Sequence, residues 1–194
     1  KKAIEKRERI ILYGDADMDG IGSTIILGEA IKTLGGKTTA IYFPDREIEG
    51  YGLNEDALDF LKKHIPALLI LLDCGISNID EVKIAKNLGF EVMIIDHHQP
   101  LKKLPSASLI VNPKQKGDQY PFKEFTAAGV VFRLSEVLLA EKITPSLRNN
   151  FLELVALATI ADMMPQTDDN LELVGEGLRS LKDTSRPALQ AFWE

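Results

Sequence analysis

The chain reads as an α/β protein: a mostly parallel five-stranded sheet flanked by helices, followed by a helical C-terminal part. Three observations predict this class. Short apolar runs alternate with helical stretches as far as residue 111, the order of strands joined by crossover helices. Each strand candidate is a short continuous apolar run, as in a sheet covered on both faces. Beyond residue 121 only helical periodicity remains.

The elements follow in order. Residues 10–13 (Ile-Ile-Leu-Tyr) form the first strand. Residues 21–34 have helical periodicity and stop at Gly35-Gly36. Residues 38–43 are the second strand, and 44–52 a polar loop. Asn54 caps a helix reaching about His64, and residues 68–72 form the third strand. Ser77 or Asn78 caps the next helix, which ends near Gly89; residues 92–95 and 109–111 complete the sheet. Residues 100–105 and 114–121 are loops, and helices are expected over 125–141, 146–160 and 171–181. There is no repeat, low-complexity segment or linker, so residues 1–194 read as one domain with the helices packed on the sheet.

Composition sets the outer bounds. With 45% hydrophobic and 27% charged residues, the chain has a globular composition. No apolar run approaches the roughly 18 residues a membrane span needs. It begins Lys1-Lys2 without Met and reads as a piece of a longer protein. Cys74 is the sole cysteine, which favours a reducing, cytoplasmic setting and leaves it as a small core residue. The net charge of −6 argues against a basic nucleic-acid wrapper, but acids that hold metal would be neutralised.

The densest chemistry is Asp15-Ala16-Asp17-Met18-Asp19-Gly20, directly after the first strand. Three alternating carboxylates in one turn repel one another, and a divalent cation relieves that repulsion. The run resembles the start of an EF-hand loop, but its twelfth position is Ile26 rather than Glu, and a strand precedes it instead of a helix. A solvated turn would account for this segment alone. It does not account for Asp73 after the third strand and Asp96-His97-His98 after the fourth. All three groups fall at strand carboxyl ends, where ligands of open α/β sheets gather. An imidazole beside a carboxylate is a good ligand for manganese, iron or zinc, whereas His64 is an ordinary helix-end residue. Asp162 follows an apolar helix and precedes two methionines; an acid at the negative end of a helix dipole calls for a cation. There is no P-loop, no dinucleotide-binding Gly-x-Gly-x-x-Gly and no Gly-x-Ser-x-Gly elbow.

In order, Asp15-x-Asp17-x-Asp19-Gly20, Asp73-Cys74-Gly75, Asp96-His97-His98 and Thr159-Ile160-Ala161-Asp162 resemble the four motifs of the DHH phosphoesterase superfamily. Within it the chain is most similar to the branch of bacterial single-strand exonucleases. Arg46 with Glu49-Gly50-Tyr51-Gly52-Leu53, the stretch Val111-Asn112-Pro113-Lys114, Tyr120-Pro121-Phe122 and residues 128–132 agree with that branch. Tyr13 stands where the superfamily often has a His, which speaks against the pyrophosphatase branch.

The resemblance implies a metal-dependent phosphodiester hydrolase with two divalent ions, manganese preferred or magnesium. Asp15, Asp17 and Asp73 would hold one ion; Asp19, Asp73, His97 and Asp162 would hold the other. His98 would face the phosphate or support the ligands, and Arg46 is a candidate phosphate contact. It further implies a 5′-to-3′ exonuclease on single-stranded DNA that releases 5′-mononucleotides in repair and recombination, with a helicase and a single-strand-binding protein as candidate partners and no membrane. The rival enzyme reading is a phosphodiesterase for oligoribonucleotides, pAp or cyclic dinucleotides. A non-catalytic scaffold is the rival of another kind, and the full ligand set opposes it. Members like this chain continue into a capping domain and an oligonucleotide-binding barrel. Outside the metal ligands, only scattered groups such as Arg46, Lys114 and Trp193 are at hand to grip a polyanion.

Overall fold

The computed structural model describes residues 1–191, so Trp193 lies outside the described residues. The elements are α1 (Lys2–Glu5), β1 (Arg9–Gly14), α2 (Met18–Thr33), β2 (Thr38–Tyr42), α3 (Glu55–Leu61), β3 (Ala67–Leu72), α4 (Ile79–Leu88), β4 (Phe90–Ile95), β5 (Leu109–Val111), α5 (Ala127–Leu139), α6 (Pro145–Ala161), α7 (Asp168–Leu181) and α8 (Pro187–Gln190). The five strands form one parallel sheet in the order β2-β1-β3-β4-β5.

Period-two side chains send each central strand to two cores. Ile10, Leu12, Ile70, Leu72 and Ile95 pack with Ile26, Phe132, Phe151 and Val155 on the face covered by α2, α5 and α6. Ile11, Tyr13, Leu69, Leu71, Val92 and Ile94 pack with Leu58, Leu61, Val82 and Ala85 on the face of α3 and α4. Cys74 is fully buried in this second core. The chain winds outward from β1 in both directions, through β2 on one side and β3 on the other. This places a crevice at the carboxyl ends of β1 and β3.

Register determines what meets in that crevice. Gly14 pairs with Leu72, Leu72 with Ile95, and Ile95 with Val111. The ladder continues one step further, with Asp15 N–H to Leu72 O (3.2 Å), Asp73 N–H to Ile95 O (3.0 Å) and Asp96 N–H to Val111 O (3.0 Å). Asp15, Asp73 and Asp96 therefore stand side by side on adjacent strands.

Several boundaries differ from expectation. Helix α2 starts at Met18 rather than Ile21, because Asp17 caps it by accepting the Asp19 and Gly20 N–H groups; the glycines and Ser23 mask this turn in the sequence. The helix expected to reach His64 is α only to Leu61 and closes as a 3-10 turn. Asn54 does cap it, through the Ala57 N–H. Asn78 occupies the N-cap of α4 without capping it; its amide instead pairs with both main-chain groups of Leu53. The Thr126 cap starts α5 two residues late, at Ala127, and α7 begins at Asp168 rather than Leu171. Short α1 and α8 carry no periodic signal.

Helices α6 and α7 cross so closely that a Cβ at Gly177 would strike the Leu152 carbonyl and come within 2.6 Å of the Ala156 Cβ. Gly177→Ala should therefore destabilise the fold by roughly 1–3 kcal/mol, although alanine favours helix by about 1 kcal/mol. Urea unfolding checks the sign, and a stabilised variant would refute this packing.

Candidate metal centre

The elements deliver seven candidate side chains to one crevice. Asp15 and Asp17 come from the turn between β1 and α2, Asp19 from the first turn of α2, and Asp73 from the end of β3. His97 and His98 follow β4, and Asp162 is the C-cap residue of α6. A Cβ at Gly20 would fall 2.6 Å from the Asp15 nitrogen, so only glycine lets the turn fold back so tightly. Asp73 has a φ of 61°, a left-handed conformation that aspartate tolerates better than most residues.

Each buried acid is supported differently. Asp96 is fully buried; its Oδ1 accepts the His97 N–H (2.7 Å), the His98 N–H (3.1 Å) and the His98 ring at Nδ1 (2.8 Å), and its Oδ2 accepts the Ile76 N–H (3.0 Å). Burial alone would push its pKa up, but the His98 ring and these N–H groups hold it below the usual carboxylate range. The same contact lifts the His98 imidazole to about 9. Asp19 accepts the Ala127 and Ala128 N–H groups, both at 2.7 Å, from the positive end of α5. Burial and then the charge of Asp73 nevertheless push Asp19 well up. Asp15 and Asp17 share the Arg46 guanidinium: Nε donates to Asp15 Oδ1 (3.0 Å), and Nη2 donates to both Asp15 Oδ2 and Asp17 Oδ2.

Asp73 and His97 are left without such support. Asp73 Oδ1 and both ring nitrogens of His97 are buried without a hydrogen-bond partner. Asp73 Oδ1 and His97 Nε2 lie 3.3 Å apart, and His97 Nε2 is 3.6 Å from both Asp19 Oδ2 and Asp162 Oδ2. Burial, followed by Asp17, raises Asp73 to about 9, and burial pulls the His97 imidazole below its ordinary value. Carboxylates crowded against a neutral imidazole, with their lone pairs unclaimed, are the donor set of a hard divalent cation. Three sets have ligand atoms mutually within 4.8 Å: Asp15-Asp17-Asp73, Asp19-His97-Asp162 and Asp73-His97-His98. Asp73 and His97 each belong to two of them.

The centre opens into a pocket of about 470 Å3 lined by Asp15, Asp17, Arg46, Tyr51, Asp73, His98 and Asp162. Tyr51 was not a sequence candidate for the centre: its hydroxyl donates to the Asp73 carbonyl (2.9 Å) and lies 3.2 Å from His98 Nδ1. Asn112 was not either, and its amide donates to the His98 carbonyl (2.9 Å). Both stand in stretches that resemble the nuclease branch, but nothing in their residue types marks a supporting role. Lys114 pairs with Glu124 at 3.3 Å, and Tyr13 is buried, donating to the Gly52 carbonyl. A larger cavity of about 590 Å3 between α6 and α7 is walled by Glu153, whose carboxylate already accepts from Ser180 and Thr184.

Residues 9–159 match the DHH family, N-terminal domain, and the chain belongs to that family. It is 42% identical over 190 residues to the single-stranded-DNA-specific exonuclease RecJ of Bacillus subtilis, a match covering 98% of this chain and 23% of that protein. The RecJ of Thermus thermophilus is 34% identical over 197 residues, covering all of this chain and 28% of the relative. A crystal structure of exonuclease RecJ bound to manganese superposes with a TM-score of 0.85 at 33% identity, covering 98% of this chain and 48% of that one. RecJ from Thermus thermophilus in complex with Mn2+ gives 0.78 at 30% identity, covering 98% of this chain and 27% of that one. The chain thus spans less than half the length of these relatives.

The raised groups set a pH dependence. Asp73 in the fold holds its proton to about 9, whereas its ordinary value is 3.8, so the native state binds a proton that the unfolded chain releases. Stability from this source falls as pH rises toward 9. His98, also lifted to about 9 from 6.5, has the same sign, while the depressed His97 acts only below about 6.5. EDTA-treated protein should melt at a lower temperature near pH 9 than near pH 7, and added manganese should stabilise more at the higher pH. Calorimetric scans across that range test this; a melting point that rises toward pH 9 would refute it.

Proposed function

We propose that this domain is the catalytic part of a metal-dependent exonuclease that degrades single-stranded DNA 5′-to-3′ and releases 5′-mononucleotides in DNA repair and recombination. The observation that carries the reading is the unclaimed pair Asp73 Oδ1 and His97 Nε2 at the centre of five further candidate groups, Asp15, Asp17, Asp19, His98 and Asp162, in a chain similar to exonucleases along nearly its whole length. Asp15, Asp17 and Asp73 would hold one divalent ion, and Asp19, Asp73, His97 and Asp162 the other, with manganese favoured and magnesium able to substitute. Bound there, such ions supply electrostatic stabilisation of the attacking and leaving oxygens in an in-line displacement.

The remaining work falls to the chain's own groups. Asp96 fixes the His98 ring through Nδ1 and keeps it protonated at neutral pH, so Nε2–H can donate to a phosphate oxygen. Arg46 has Nε and Nη2 committed to Asp15 and Asp17, which leaves Nη1 for the substrate phosphate. A helicase and a single-strand-binding protein fit as partners. A cytoplasmic location fits the lone, buried Cys74, and among the described residues no helix is long and apolar enough to cross a membrane.

Asp73→Ala should abolish hydrolysis and lower the metal stoichiometry seen by calorimetry, and EDTA should inactivate the wild type. At a hundredfold excess over Kd, manganese should add about 2.7 kcal/mol per site, a rise of roughly 5–10 °C for a domain of this size. Unchanged two-ion binding by the variant would disprove the shared role of Asp73.

A second expectation follows from charge. A chain of net charge −6 neutralises few phosphates, and phosphate neutralisation supplies most non-specific affinity. Residues 1–194 alone should bind metal but hold single-stranded DNA weakly, with low processivity, and the full-length protein should restore tight binding and polarity. Assays of both on 5′- and 3′-labelled oligonucleotides compare them; equal affinity and processivity would refute the division of labour.

A further inference from the structure

Two side chains of the metal centre, Arg46 and Tyr51, come from the loop between β2 and α3, which contains no strand or helix of its own. Such a loop keeps its shape only through what its polar groups find. Three donors converge on Glu49, while the neighbouring Asp45 Oδ1 accepts the Glu47 N–H at 2.9 Å and the Ile48 N–H at 3.4 Å. Glu49 Oε1 accepts the Asp45 N–H at 2.8 Å; its Oε2 accepts the Tyr42 hydroxyl at 2.7 Å and the Asn54 amide at 3.2 Å. Tyr42 is the last residue of β2 and Asn54 is the N-cap of α3, so one carboxylate ties the loop to both flanking elements. The Asn54 amide also reaches the Tyr13 hydroxyl (3.3 Å), which donates to the Gly52 carbonyl (2.8 Å) and secures the loop's far end. Glu49 neither lines the pocket nor belongs to any of the three ligand sets.

The chemistry of the acceptor matters. A carboxylate offers only lone pairs and can take all three donors, whereas a carboxamide would turn N–H groups toward at least one of them. The side chains it serves need such help. Arg46 is long and 44% exposed, and a guanidinium that must meet two carboxylates and a phosphate gains from a fixed backbone. Tyr51 braces the Asp73 carbonyl from the same loop. The candidate metal ligands, by contrast, have their own backbone on strand ends, helix ends and the turn after β1, outside this loop.

We propose that Glu49 is a positioning residue: it staples the loop so that Arg46 and Tyr51 meet the carboxylate cluster, and so governs how substrate is gripped rather than how metal is bound. The proposal rests on the exonuclease reading above for its kinetic consequence, and on the hydrogen-bond pattern alone for its structural one.

The test uses the full-length protein as wild type, Glu49→Ala, Glu49→Gln, Arg46→Ala and the Glu49→Ala/Arg46→Ala double variant. Manganese affinity by calorimetry should stay within about twofold in Glu49→Ala, while KM for a single-stranded oligonucleotide rises roughly tenfold, the scale of about one lost hydrogen bond to the substrate. Glu49→Gln, which keeps one acceptor, should fall between. The double variant should be no worse than the weaker single variant, since both changes remove the same contact. Hydrogen exchange of amides 45–52 should accelerate in Glu49→Ala while the central strands stay protected. Additive effects in the cycle, a parallel loss of manganese affinity, or unaltered exchange in the loop would each overturn the proposal. A wild type that cleaves no single-stranded DNA would refute the exonuclease reading instead, and the exchange and calorimetry would still decide the role of Glu49.

Discussion

The burial of like charge is the constraint on which the rest of the structure depends. Asp15, Asp19, Asp73, Asp96 and His97 are each no more than 4% exposed, and all lie at one end of one sheet. Unpaired carboxylates in such a place are strongly disfavoured. The fold answers with a different partner for each: main-chain N–H groups and an imidazole for Asp96, the start of α5 for Asp19, and a guanidinium for Asp15. The deficit that remains is concentrated on Asp73 and His97, at the middle of the cluster. A site in which every acid was neutralised by the protein would have no affinity left for a cation. Here the supporting groups hold the periphery in place and leave the centre unsatisfied.

Sheet register is what makes this arrangement reproducible. Side chains that must act within a few ångströms come from segments separated by dozens of residues. Because Gly14, Leu72 and Ile95 are in register, the next residue on each strand is an acid at the same height. A one-residue slip would exchange the two cores and carry Asp73 to the other face. The apolar runs that specify the two cores therefore also specify the site, and the parallel strands point every carboxyl end the same way.

The sequence disclosed the strands and the acids well, for a physical reason. Continuous apolar runs such as Leu68-Leu69-Ile70-Leu71-Leu72 have few alternatives to a buried strand, and an acid directly after one is conspicuous. Helix starts were less legible. Asp17 both caps α2 and faces the centre, so its acidic neighbours concealed a helix that opens at Met18. Asn78 has the residue type of a cap, yet its amide is committed to Leu53. That Asp96, beside the histidine pair, could orient an imidazole was legible, but its bond to the Ile76 N–H and the role of Tyr51 as a brace were out of reach. They depend on contacts 20 and 22 residues away in the chain, to Ile76 N and Asp73 O, and on the left-handed backbone of Asp73.

The helical C-terminal part is not an accessory to the sheet. Ala127 and Ala128 bind the Asp19 carboxylate across 108 and 109 residues of sequence, and Asp162 reaches His97 from the end of α6. Both helices pack in the core that also holds Leu12, Leu72 and Ile95. The centre is therefore complete only when the strand half and the helix half have docked. Metal affinity and tertiary folding would then draw on the same contacts, since a cation held by Asp19, His97 and Asp162 together would select the docked state. The same coupling places Asp162 at the negative end of α6, where the helix dipole opposes an isolated acid but adds to the attraction of a cation. An arrangement unfavourable to each half alone becomes favourable once charge of the opposite sign joins them.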